Sequence, residues 1–204
     1  SSSLNVYYKL TSTDSGSSAL SVKAVYLGLA WLGIGVNPAG EMVGGNAVII
    51  GKPGEAISSV NPGKYTISDR SADGVVLMDI SAQTLTNGSI TQDVSAGTTT
   101  LSFTKILDES GENAISESGQ TTFIYAIGSD NTYPAYHGGG RGSFKVDLSG
   151  VNLAMVTPAP TLAPTASTEL SSTTTGDTTA SPTSSMTPAP SARTGSLQFS
   201  SPTS

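Results

Sequence analysis

Over its 204 residues the chain offers no window of helical periodicity, whereas short runs rich in β-branched and aromatic residues recur between turn signals. The runs are Leu4 to Leu10, Leu20 to Tyr26, Leu29 to Val36, Ala47 to Ile50 and Lys64 to Ser68, then Val75 to Ile80, Thr98 to Leu107, Thr121 to Ile127 and Ser143 to Leu148. Between them stand Asp14-Ser15-Gly16, Asn37-Pro38, Pro53-Gly54, Asn61-Pro62-Gly63, Asp73-Gly74, Asn87-Gly88 and Ser110-Gly111. These residue types favour tight turns. Leu101 to Ile106 and Phe144 to Leu148 alternate apolar and polar, which gives each strand one core face and one wet face. Many short strands without helices predict an all-β fold, an antiparallel immunoglobulin-like β-sandwich.

That pattern stops near residue 156. From Thr157 to Ser204, 31 of 48 residues are Ser, Thr or Pro, and only Glu169, Asp177 and Arg193 are charged. So few large apolar side chains cannot offset the entropy of ordering such a segment. The composition predicts a sandwich over residues 1–156 and, over 157–204, a disordered stalk or linker of the O-glycosylated kind. The sequon Asn87-Gly88-Ser89 marks Asn87 as a glycosylation acceptor and, with the stalk, points to an extracellular or cell-surface location. The start at Ser1 without a methionine reads as that of a processed chain, and a membrane anchor is expected beyond Ser204.

Charge and cysteine count exclude several functions. The formal net charge is −6 and no basic cluster interrupts the acidic surface, which disfavours nucleic acid and anionic membranes as partners. With no cysteine and one histidine, the chain lacks the ligands for covalent c-type haem, iron–sulfur clusters, structural zinc or a copper monooxygenase centre. Gly138 to Gly142 lacks the ending of a Walker loop, and no Gly-x-Ser-x-Gly elbow accompanies the histidine. Asp108-Glu109-Ser110-Gly111-Glu112, with Glu117 beyond it, lacks calcium-loop spacing and reads as a solvated hairpin connection.

Two residues stand out against this background. Met42 lies in the polar, glycine-rich segment Asn37 to Asn46, a poor setting for core filler, and His137 lies in Tyr136-His137-Gly138-Gly139-Gly140-Arg141-Gly142. Taken singly, His137 reads as a hydrogen-bonded loop residue and Met42 as a gap-filler. A thioether and an imidazole brought together from two such loops are also the axial pair of an electron-transfer haem. Met78 and Met155 sit among strand-like apolar neighbours and read as packing, and Met186 lies in the tail. The strand around Trp31, Ile34, Gly33 and Gly35 is apolar on both faces. Either it is covered on both sides, with its glycines as close-approach points, or one face lines a ligand pocket. Arg141 reads as a surface residue, or as the partner of a ligand carboxylate over the same pocket.

Trp31-Leu32-Gly33-Ile34-Gly35-Val36 followed by Gly40-Glu41-Met42-Val43-Gly44-Gly45-Asn46-Ala47-Val48-Ile49 resembles the first half of a DOMON domain. Phe123-Ile124-Tyr125-Ala126-Ile127-Gly128 followed by Tyr136-His137-Gly138 and Arg141-Gly142 resembles its second half. The resemblance covers about residues 4–153. In the cytochrome type of that family, as in the cytochrome domain of cellobiose dehydrogenase, non-covalent haem b sits in an immunoglobulin-like sandwich between one methionine and one histidine. The resemblance implies Met42 and His137 as iron ligands, Trp31, Ile34 and Tyr136 as haem-burying residues, and Arg141 as a propionate partner. It implies an electron carrier rather than a catalyst, served by a redox partner protein or a small-molecule electron donor. Other members of the family bind sugars, and here Trp31, Tyr133 and Tyr136 would do the stacking. A third expectation is a glycosylated surface coat or filament, in which the tail joins copies into a homopolymer.

Overall fold

The computed structural model describes residues 3–12, 17–55, 60–134, 137 and 140–149, together with the backbone of 192–200. The fold is an antiparallel β-sandwich. One sheet contains β1 (Ser3–Ser12), β2 (Ser18–Leu27), β7 (Thr86–Asp93), β8 (Thr98–Ile106) and β11 (Ala192–Ser200), in the order β11-β1-β2-β8-β7. The other contains β3 (Leu32–Val36), β4 (Asn46–Gly51), β5 (Gly63–Ile67), β6 (Val75–Leu77), β9 (Gln120–Ile127) and β10 (Arg141–Asp147), in the order β10-β9-β3-β4-β5-β6. A single 3-10 turn at Ile80–Ala82 is the one helical element among the described residues.

Alternation builds the core. β8 buries every second residue, including Leu101 and Phe103, and these meet Leu20 and Val22 of β2 and Leu32, Ile34 and Phe123 of the opposite sheet. The six-stranded sheet is apolar on its other face as well. Trp31, Val48, Ile50, Tyr65, Ile67 and Ile124 form a second cluster there. On β3 this separates Ile34, in the inter-sheet core, from Gly33 on the outer face. Gly35 is a close-approach point, since a Cβ there would lie 2.6 Å from Val48 Cγ2. The Trp31 strand is close-packed at Gly35 and borders a cavity at Gly33.

Two segments depart from expectation. Residues 86–93 form β7 although they lack an apolar alternation. The strand is an exposed edge that owes its place to backbone pairing with β8. Asn87-Gly88 makes no hairpin turn but lies where the register slips between Thr86 and Ser89, with Asn87 in the left-handed region at φ +53°. Asparagine tolerates that conformation better than most residues. Residues 192–200, assigned by composition to the disordered tail, form β11 and run antiparallel to β1 from Ser3 opposite Ser200 to Thr11 opposite Ala192. A composition averaged over 48 residues hides the local alternation around Leu197 and Phe199. The rest of the tail, with Met155 and Met186, lies outside the described residues.

The acidic connection after β8 is also different from the solvated loop expected. Lys64 on β5 is fully buried, and its Nζ lies 2.8 Å from Glu109 Oε2 and 2.8 Å from Glu112 Oε1. Lys105 on β8 meets the same two carboxylates at 2.7 and 2.5 Å. Each sheet contributes one ammonium, and the loop between β8 and β9 supplies both counter-charges. A buried cation needs such compensation to remain charged. Burial opposes ionisation of Glu109, but hydrogen bonds from Lys105, Lys64 and Thr84 hold its carboxyl down at about 2.

Candidate functional site

A cavity of about 640 Å³ lies on the outer face of the six-stranded sheet. Its floor is made by Gly33 of β3, Val48 and Ile50 of β4, and Ile124 and Ala126 of β9. Its walls are loop residues: Gly40, Glu41 and Met42 after β3, Arg70, Ser71 and Ala72 between β5 and β6, and Tyr133, Pro134 and His137 after β9. The volume falls in the range of about 300–1,000 Å³ typical of cofactor and small-ligand sites. Gly33 keeps the floor open. A Cβ built there meets its nearest neighbour, Ile50 Cγ1, at an ordinary 3.6 Å, so protein packing does not require a glycine at this position.

Asn37 shapes the methionine loop. Its backbone N–H donates to Thr122 O at 3.2 Å, and its side-chain amide donates to Glu41 O at 2.6 Å and Val43 O at 2.9 Å. The carbonyls on either side of Met42 are therefore held by one buried amide, 4 % exposed. Gly44 N donates to Ile67 O and Ile67 N to Gly45 O, both at 2.9 Å, which ties the loop to the end of β5. These bonds place the half-buried Met42 against the second apolar cluster.

The opposite wall is organised around Trp31. Its backbone N–H donates to Asp130 O and its carbonyl accepts from Gly128 N, which fastens the start of the histidine loop. A Cβ on Gly128 would fall 2.3 Å from Trp31 Nε1, so only glycine fits there. The indole meets the Tyr133 ring edge-on at 5.5 Å and 84°, and the His137 ring at 6.4 Å and 66°. His137 is 9 % exposed. Burial pushes the Tyr133 phenol up, helped by Tyr65 and Glu55, and keeps it protonated at any ordinary pH. Among the described residues no protein partner meets the buried Tyr133 Oη or Trp31 Nε1.

The cavity thus brings together Trp31, Met42, and the neighbouring His137 and Arg141 from three segments of the chain. Ile34 is not among them. Residues one apart on a strand point to opposite faces, and with Gly33 facing the cavity Ile34 faces the inter-sheet core. Tyr136 lies outside the described residues. Met78, beyond the end of β6, does not line the cavity and belongs to neither apolar cluster. Asn87 is exposed, as a glycan acceptor must be. Arg70 and Asn37 escaped the sequence reading. Asn37-Pro38 was legible as a turn, but which carbonyls its amide would reach was not.

Among the described residues no group of three or more His, Cys, Asp or Glu side chains is arranged to hold a bare metal ion. A lone imidazole and a thioether suit an iron that brings four ligands of its own in a macrocycle. The apolar floor suits the flat body of such a group, and the arginines suit its carboxylates. No family model matches the chain, and no curated protein matches its sequence.

Proposed function

We propose that the sandwich is a DOMON-like b-type cytochrome domain that carries single electrons at an extracellular or cell-surface site. The observation that carries the reading is the convergence of Met42 and His137 on one apolar cavity with Trp31 and Arg141. Haem b, when bound, supplies an iron that cycles between ferrous and ferric states. His137 would offer the nitrogen donor and Met42 the thioether that hold this iron, and an iron so held would pass electrons rather than bind oxygen. A thioether raises the potential relative to a second imidazole. Arg141 places a positive charge at the rim and disfavours the ferric state, so Arg141→Gln lowers the midpoint potential. Trp31, Val48, Ile50 and Ile124 exclude water. The electron donor is a redox partner protein or a small molecule meeting the open rim.

Haemin titration of the purified protein tests this. Stoichiometric uptake, with a Soret band and sharp low-spin α and β bands on reduction, is expected, and acid-acetone extracts the pigment. A protein that stays colourless contradicts the reading.

A sugar-binding reading draws on Tyr133 Oη and Trp31 Nε1, two buried groups that a ligand hydroxyl could satisfy. Against it, Trp31 is only 4 % exposed and stands edge-on to Tyr133. Sugar stacking needs an open aromatic face.

A further inference from the structure

The methionine loop joins two strands that part irregularly. β3 and β4 pair through Leu32, Gly33 and Ile34, and the register then slips before Val36 meets Asn46. Ala47, the next residue, stands in the left-handed region at φ +55°. A slipped ladder leaves backbone groups at the mouth of the loop to be satisfied from elsewhere. The connection between β8 and β9 supplies the partner. Asn113 Nδ2 donates to Val36 O at 2.8 Å and reaches Gly44 O at 3.5 Å, one carbonyl at each end of the loop. In the reverse direction, Asn46 Nδ2 donates to Gly111 O. Asn37 thus bonds the carbonyls that flank Met42 inside the loop, and Asn113 bonds those at its two ends.

The connection can bear this role because it is itself fixed. Ile115 N donates to Leu107 O at 2.8 Å and closes it, and the Ile115 side chain is buried in the inter-sheet core. Glu109 and Glu112 are gripped by the buried ammonium groups of Lys64 and Lys105. Glu112 is the immediate neighbour of Asn113, so the ion-pair network sets where the amide sits. Asn113 is not part of the cavity lining, and it reaches the site only through the loop.

We propose that Asn113 is a positioning residue for Met42: it closes the mouth of the loop from outside the cavity and so fixes how the thioether is presented within it. The proposal rests on the haem reading and adds a residue that touches neither the cavity nor its ligand. It also gives the buried ion pairs a part in the site as well as in the fold.

The test reconstitutes the full chain with haemin and follows, in the optical spectrum of the ferric protein, the competition of free imidazole with Met42. Asn113→Leu keeps the size of the side chain and lacks its donors. It is expected to let imidazole displace Met42 at roughly three- to tenfold lower concentration, the factor that one lost hydrogen bond supplies. Val6→Ala, a core substitution on β1, weakens folding but leaves that concentration as in the parent. Hydrogen exchange in the apoproteins is the second readout. The amides of Gly44 and Gly45, bonded to Ile67 O and Met42 O, exchange faster relative to those of β2 in Asn113→Leu. If Asn113→Leu and Val6→Ala shift the imidazole concentration equally, or neither shifts it, the positioning role is overturned while the haem reading stands. A parent protein that takes up no haemin overturns the haem reading. The exchange measurement then decides the role of Asn113 by itself: faster exchange at Gly44 and Gly45 supports it, and an unchanged rate overturns it. Asn113→Ala is read in the same way and replaces the leucine variant if that one fails to fold.

Discussion

The His137 ring meets the indole of Trp31 edge-on, with centroids 6.4 Å apart and 66° between the planes. The tryptophan therefore supports the imidazole from within the wall of the cavity, and among the described residues its own Nε1 meets no protein acceptor. Trp31→Phe keeps an aromatic edge and deletes an unsatisfied donor, so it costs about 1 kcal/mol or less in urea unfolding of the apoprotein. Trp31→Ala removes the support and costs about 3–5 kcal/mol. Equal losses for the two variants would mean that Nε1 has a partner.

Gly33 and Gly35 on β3 answer differently to the same added atoms. Gly33 faces cavity space, so Gly33→Leu folds with a stability change within about 1.5 kcal/mol. It nevertheless fills the floor and, on the proposed function, is expected to block uptake of haemin. Gly35→Ala forces a methyl against Val48 and costs about 1–3 kcal/mol while leaving the cavity open. Denaturation and haemin titration on both variants separate the effects.

The Lys64, Lys105, Glu109 and Glu112 network locks the two sheets through the β8–β9 connection. Glu112→Ala leaves Glu109 as the one carboxylate facing two buried ammonium groups and is expected to cost about 3–5 kcal/mol. The folded Glu109 carboxyl lies at about 2 against an ordinary 4.5. Its contribution is therefore complete above the ordinary value and is lost as pH falls from 4.5 towards 2. Urea midpoints measured across that window drop steeply for the parent and less steeply for Glu109→Gln.

Strand β11 covers the edge of β1. Deleting residues 192–204 leaves β1 as an open edge with unpaired backbone groups, the usual template for association. The shortened protein is expected to melt at lower temperature and to self-associate with rising concentration in sedimentation runs. Deleting an internal part of the linker while keeping 192–204 leaves both properties as in the parent.

The strands with alternating or β-branched residues, such as Thr98 to Leu107, were legible because a period of two directly reports a half-buried strand. β7 was not, because a polar edge strand is specified by backbone pairing with a neighbour that sequence does not name, and β11 was not, because its short alternation is submerged in the composition of the tail. Met42 and His137 drew attention through an odd local setting, and the shared cavity brings both side chains to one place. Ile34 was misassigned for a simple reason: adjacency to Trp31 in sequence does not survive the strand's alternation. Arg70 and the buried glutamates were invisible because loop charges are usually solvated, and only the three-dimensional arrangement shows that the exposed Arg70 borders the cavity and that the glutamates are covered.

The central claim is that Met42 and His137 would together hold the iron of one haem, with Asn37 keeping the methionine loop in place. The most direct measurement is the optical spectrum of haem-reconstituted variants in both oxidation states. Met42→Ala is expected to lose the sharp low-spin bands and lower the potential while retaining haem. His137→Ala loses or weakly holds the haem, Asn37→Ala weakens the thioether bond, and Met78→Leu matches the parent. Low-spin bands that persist in Met42→Ala but change in Met78→Leu would contradict the account.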